Sequence, residues 1–239
     1  FASSSGATTV GGPWTGIYVS AGNVNIGTTT GNTIGAATGT GSIVATTTTT
    51  GGISSGIFID GGSIHSIANN TIGSVNVAGS TTSISHGFTG IHVATSTTPT
   101  VNNNTIGSTS TANSINSITA STNASVPVVT GIIQASSGTA RIYGNTVANL
   151  NSAYVPVTST ASTGSGNTAS ITGIGNFAST AGVNWISGNN VHSLINSNNS
   201  VAVSVNGIYY NGPTTGGVIE KNLVYALTSP STVASVNGI

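Results

Sequence analysis

The sequence predicts an all-β solenoid, a chain wound into stacked coils of short strands. Three observations carry that prediction. A Gly-Ile pair recurs from one end of the chain to the other, an Asn-centred motif follows it at nearly constant distance, and the composition suits strands and turns but not helices. Self-similarity at a fixed period of a few tens of residues marks a repeat architecture, in which each unit buries its apolar face only against its neighbours.

The pair occurs at Gly16-Ile17, Gly56-Ile57, Gly90-Ile91, Gly131-Ile132, Gly173-Ile174, Gly207-Ile208 and Gly238-Ile239, spaced by 40, 34, 41, 42, 34 and 31 residues. Gly52-Ile53 falls out of this register. The second element reads [Ile/Val]-x-x-Asn-x-[Ile/Val]-x-x-[Leu/Val], clearest in Ile142 to Leu150 around Asn145. It centres on Asn32, Asn70, Asn104, Asn145, Asn189 and Asn222, at 16, 14, 14, 14, 16 and 15 residues from the preceding Gly. The rest of each repeat varies in length and is rich in Ser, Thr and Gly, as in 46–52, 107–126 and 151–167. Constant spacing predicts stacked strand-turn-strand; variable spacing predicts a loop leaving one corner.

Within the constant part, Ile17 and Val19 alternate with Tyr18, and Ile57 and Ile59 with Phe58. Period 2 places one face inward. The core column is therefore Ile17, Ile57, Ile91, Ile132, Ile174, Ile208 and Ile239. In six of seven repeats an apolar residue (Trp14, Phe88, Val129, Ile171, Val205, Val236) sits two positions before the Gly. From there to the Ile is three residues, which breaks strand parity. The Gly is expected to bend or bulge the backbone by taking positive φ. The recurring Asn suits a turn, and stacked in register it would form an amide ladder along the axis.

Composition agrees. Thr (40 residues), Ser (36) and Asn (27) dominate, with 34 Gly, no Cys and no Met. Only Arg141, Lys221, Asp60 and Glu220 are charged, yet 36% of the residues are hydrophobic and mean hydropathy is +0.26. That apolar content argues against disorder, and scarce Glu, Lys and Gln argue against helix. Without a basic patch, nucleic-acid binding is not expected. Without Cys there is neither disulfide framework nor thiolate metal site, and no apolar run is long enough for a membrane span. No cofactor is expected.

The Gly-Ile and Asn-x-[Ile/Val]-x-x-[Leu/Val] pattern resembles the coil of right-handed parallel β-helices, the pectate-lyase-like solenoids, from Gly16 to Ile239. The resemblance implies about six coils in a single domain, with long Ser/Thr/Gly-rich loops. That family includes polysaccharide lyases that use calcium with carboxylates and a basic residue, and hydrolases that use several Asp. This chain has no match to those residues.

Its own candidates for chemistry are few. Asp60 and Glu220 fall four coil steps apart, about 19 Å at the usual strand spacing, too far for a glycosidase pair, which sits within about 9.5 Å. His65, His86, His92 and His192 show no metal-ligand spacing. Gly52-Ile53-Ser54-Ser55-Gly56 matches a nucleophile elbow, with Asp60 and His65 following in hydrolase order, but the elbow needs a helix after the Ser. No catalytic and no metal residues are assigned. Two positions after the repeated Gly stand Tyr18, Phe58, His92, Ile133, Gly175 and Tyr209. This column either lies under a loop or forms an exposed strip, in which case Tyr18, Phe58, His92 and Tyr209 are contacts for a ligand or partner. Thr46–Thr50 is too irregular for an ice-binding ladder.

The functional expectation is a non-enzymatic structural protein of the bacterial exterior, a segment of a surface adhesin or extracellular filament. Its partners would be further copies, end to end or laterally, or a continuation of the same chain, since Phe1 is no initiator and the last Gly-Ile opens a further coil. The alternative is a carbohydrate-binding module using the aromatic column; a polysaccharide-active enzyme or an ice-binding protein ranks below both. Sequons at Asn69 and Asn123 raise glycosylation.

Overall fold

The computed structural model describes residues 2–4, 13–48, 52–80, 86–118, 128–153, 169–177, 182–199, 203–213 and 216–239. Among them every element is a strand, and the strands form three sheets in which the pairs are parallel. The first sheet has seven strands: Thr15–Val19, Gly52–Ile59, His86–Val93, Val129–Gln134, Ile171–Asn176, Ser204–Tyr210 and Ser235–Asn237. The second has six: Val24–Ile26, Ile64–Ala68, Thr98–Asn102, Arg141–Tyr143, Trp185–Ser187 and Val218–Glu220. The third sheet contains Ala2–Ser4 and receives the chain after each second-sheet strand. Its later strands, Thr146–Ser152, Asn190–Asn196 and Leu223–Thr228, are continuous. In earlier turns of the chain the same path is split, as in Thr71–Gly73 and Val75–Gly79. Each passage through the three sheets ends beside the strand where it began, a connectivity compatible with a parallel β-helix.

The register superimposes the repeated isoleucines. Ile17 pairs with Ile57, then Ile91, Ile132, Ile174 and Ile208 in turn. From Ile57 to Ile208 they are at most 3% exposed. Facing them in the same apolar cluster are Ile67, Val101, Ile142 and Ile186 from the second sheet and Ile72, Ile106, Val147 and Val191 from the third. Ile239 differs from expectation: pairing stops at Asn237, and Ile239 is 68% exposed.

The role of the repeated Gly also differs. None of the seven has positive φ. Parity does break there, because the paired register skips the Gly between Thr89↔Thr130 and Ile91↔Ile132. What excludes a side chain is close approach. A Cβ on Gly131 would lie 2.4 Å from Val147 Cγ1 and 2.5 Å from the Gly173 carbonyl oxygen. Gly90 meets Ile106 and the Gly131 carbonyl in the same way, and Gly173 meets Val191 and the Gly207 carbonyl. The glycine column is thus a slot into which the apolar residue two places after each ladder Asn inserts from the third sheet. Positive φ occurs instead just before the Asn, at Asn69, Asn103, Gly144, Gly188 and Lys221.

Gly131→Ala is expected to destabilise by about 1–3 kcal/mol through overpacking. Pairing it with Val147→Ala should cost less than the sum of the single changes, because the clashing methyl is gone. Urea denaturation of the four proteins in the cycle reads both numbers; strict additivity would reject the slot.

Candidate functional site

The most regular polar feature is the line of asparagines at the corner between the second and third sheets. The Nδ2 of Asn32, Asn70, Asn104, Asn145 and Asn189 donates to Oδ1 of the next Asn at 2.8, 2.9, 3.0, 3.0 and 2.9 Å. The line ends at Asn222. Each of those oxygens also accepts the backbone N–H of the preceding Asn, at 2.9–3.1 Å. Each Nδ2 from Asn70 onward donates backward as well, Asn145 to the Val101 carbonyl at 2.9 Å and Asn189 to that of Ile142 at 3.0 Å. The amides therefore point one way along the axis. Asn70, Asn104, Asn145 and Asn189 are 1% exposed, so the turn's backbone groups have these amides in place of water. Serines repeat the device nearby: Ser74 N–H donates to Ser114 Oγ, and Ser42 N–H to Ser74 Oγ, both at 3.0 Å.

The column two after the Gly is in register, Tyr18↔Phe58, Phe58↔His92, His92↔Ile133, Ile133↔Gly175 and Gly175↔Tyr209. Tyr18 and Phe58 stack at 5.7 Å, and Phe58 meets His92 at 4.8 Å. The gap at Gly175 is filled by the Phe177 ring, which lies where a Cβ would stand and contacts Tyr209 at 5.3 Å. Phe58 is 7% exposed, Ile133 0% and Phe177 6%; His92 and Tyr209 are half-buried. Only Tyr18 is open, at 48%. Its hydroxyl donates to Asp60 Oδ2 at 3.0 Å, and that bond raises the phenol pKa. Burial holds the His92 imidazole down at about 4, against the opposing pull of Asp60.

The Gly-x-Ser-x-Gly serine has a partner that sequence order did not suggest. Ser54 Oγ lies 2.7 Å from Nε2 of His86, whose Nδ1 faces the Ala78 carbonyl at 3.3 Å. A carbonyl only accepts, so Nδ1 carries the proton and Ser54 donates to Nε2. This is the arrangement of a nucleophile and its base, with both side chains buried, Ser54 0% exposed and His86 1%. The motif lies within the strand Gly52–Ile59, so no helix follows the serine. Ser54 holds the one place where the apolar column before the Gly is interrupted, and its small size lets Trp14 and Phe88 stack across it, ring centres 6.5 Å apart. His65 is buried on the second sheet, where desolvation lowers its pKa. His192 stacks on Tyr225 at 4.8 Å.

Two hydroxyl columns escaped the sequence reading. Thr15, Ser55, Thr89, Thr130 and Thr172 stack just before the glycines, buried from Ser55 onward. Thr33, Thr71, Thr105 and Thr146 stack just after the ladder Asn, from exposed at Thr33 to half-buried. The signal was the residue adjoining each repeated Gly or Asn. Of Thr46–Thr50, residues 49 and 50 lie outside the described residues, as does Asn123. No protein-family model, curated protein or solved structure matches the chain.

Asn145→Ala would strip the Asn104 N–H and the Val101 carbonyl of buried partners. A loss of about 3 kcal/mol or more is expected, against about 1 kcal/mol for Asn32→Ala at the exposed end. Chemical denaturation measures both, and equal losses would contradict an internal ladder. The histidines predict a pH dependence. Burial holds His86 at about 4, below the usual 6.5. The unfolded chain therefore takes up protons below pH 6.5 while the folded chain does not until about pH 4. Stability is full above pH 6.5 and falls between 6.5 and 4, by up to about 1.4 kcal/mol per pH unit from His86. His86→Gln should flatten that slope in denaturation midpoints taken from pH 8 to 4.

Proposed function

We propose that the chain is a non-enzymatic structural segment of the bacterial exterior, a right-handed parallel β-helix of about six coils within a surface adhesin or extracellular filament. The observation that carries this reading is the unbroken amide line from Asn32 to Asn222, which ties each turn of the chain to the next through hydrogen bonds that are buried along its middle. Pulling along the axis would load this line together with the parallel strand ladders. The composition supports a place outside the cell. Arg141 and Lys221 offer trypsin-like proteases only two sites. Near-zero charge leaves no long-range repulsion between copies, so self-association, lateral or end to end, is the proposed partner mode, beside continuation of the same chain.

A second reading, glycan binding, is favoured by Tyr18, whose open ring lies beside Asp60. Phe58 packs behind it and belongs to the interior, so Tyr18→Ala is the clean test. Glycan-array signal lost on that change, with thermal stability kept, would favour binding.

For the scaffold role, antibodies to this chain should label intact cells of the native source and decorate filaments in negative-stain micrographs. Label that appears only after lysis would reject it.

A further inference from the structure

We infer that the open face of the second sheet is a docking surface for a second copy of this chain, related by a two-fold axis. The inference deepens the scaffold reading by naming the surface through which copies would associate. Ile142, Ile186 and Ile219 point inward from this sheet, into the apolar cluster, so the residues beside them point out. Register stacks Arg141 on Trp185 and Val218, and Tyr143 on Ser187 and Glu220. Trp185 is 39% exposed, Tyr143 39% and Val183, two residues before Trp185, 48%. Arg141 is exposed as well, and its guanidinium lies 5.5 Å from the centre of the Trp185 ring. This face bears one of the chain's two tryptophans and two of its four charges, a concentration that sets it apart in a chain dominated by hydroxyl and amide side chains.

The placement of those charges selects the occupant. Arg141 lies one strand before Trp185–Ser187, on the Trp185 side; Glu220 lies one strand after it, on the Ser187 side. The two are diagonal about Ile186. At about 4.8 Å per strand and about 3.3 Å per residue, their Cα atoms are roughly 12 Å apart. In a two-fold interface residue i meets residue j and j meets i. A two-fold axis lying between the faces, over Ile186 and perpendicular to this diagonal, brings Arg141 of each copy onto Glu220 of the other. Trp185 then lies near the centre, where an aromatic anchor contributes most, and Val183 lies farther out along the strand direction. A guanidinium stacked on an indole keeps its N–H edge free for a carboxylate. The pairing rests on a few side chains, so it is expected to be weak and to exchange readily.

Sedimentation velocity of the full chain, in a concentration series to about 1 mM, should show a monomer–dimer equilibrium. Arg141→Glu and Glu220→Arg, made singly, should each abolish it by setting like charges together. Mixed in equal amounts, the two single variants should form a heterodimer, because both of its contacts then join opposite charges, one in the native sense and one reversed. Trp185→Ala should weaken association by roughly tenfold or more. All these positions are on the surface, and denaturation midpoints verify that the variants fold. A wild-type chain monomeric throughout, single reversals that still dimerise, or a mixture that stays monomeric would each overturn the inference. Cell-surface labelling does not depend on this face, so a wild-type chain that stays monomeric with labelling retained rejects the pairing alone.

Discussion

Parallel strands stacked in register set every side chain about 4.8 Å from its counterpart in the next turn of the chain, and the rest of the structure follows from that repetition. A position must hold a residue that packs or bonds well against another of its kind. Isoleucine does so by interlocking branched side chains, as in the column from Ile17 to Ile208. Asparagine does so because its amide is both donor and acceptor, so a row of them satisfies itself. A row of carboxylates or ammonium groups would repel at the same spacing. The shortage of charge is thus a consequence of the architecture as much as a statement about partners.

The glycine column couples this repetition across sheets. Its missing side chains admit Ile34, Ile72, Ile106, Val147, Val191 and Val224 from the third sheet. Those residues stand two places after the ladder asparagines. The Gly and the Asn, separated by about fifteen residues, are therefore two ends of one packing arrangement. That explains why the distance between them stays nearly constant while the rest of each repeat lengthens and shortens. The one or two extra residues before Asn32, Asn189 and Asn222 are absorbed between the two ends, because Ile34, Val191 and Val224 still meet their glycines and the amides stay on the ladder.

What the sequence made legible was whatever repeats. The spacing of Ile17, Ile57 and Ile91, and of Asn70, Asn104 and Asn145, was enough to place strands and register. The reason for each Gly was not legible, because a bulge with positive φ and a close approach leave the same letter. Events that break the repeat were hidden too. Ser54 finds His86 across 32 residues, while the nearer His65 turns into the second sheet. Phe177 occupies the place of Gly175, so that a gap in the written column is filled in space. Burial of the aromatic column was likewise undecidable, since alternation says which way Phe58 points but not what lies over it.

Two of the four charges sit on the outward face of the second sheet. Arg141 and Glu220 occupy outward positions of three-residue strands in the second sheet, and neither has a charged residue directly beside it in register. Arg141 has Thr100 and Trp185 as neighbours, and Glu220 has Ser187. The indole beside Arg141 supplies a face that attracts a cation and costs nothing in like-charge repulsion. The diagonal offset between Arg141 and Glu220 keeps them apart within one chain, so neither charge neutralises the other there. Glu220 is followed at once by Lys221, whereas Arg141 has no charged neighbour in sequence or register; both Arg141 and Glu220 stand at outward positions, where a surface of opposite order can read them.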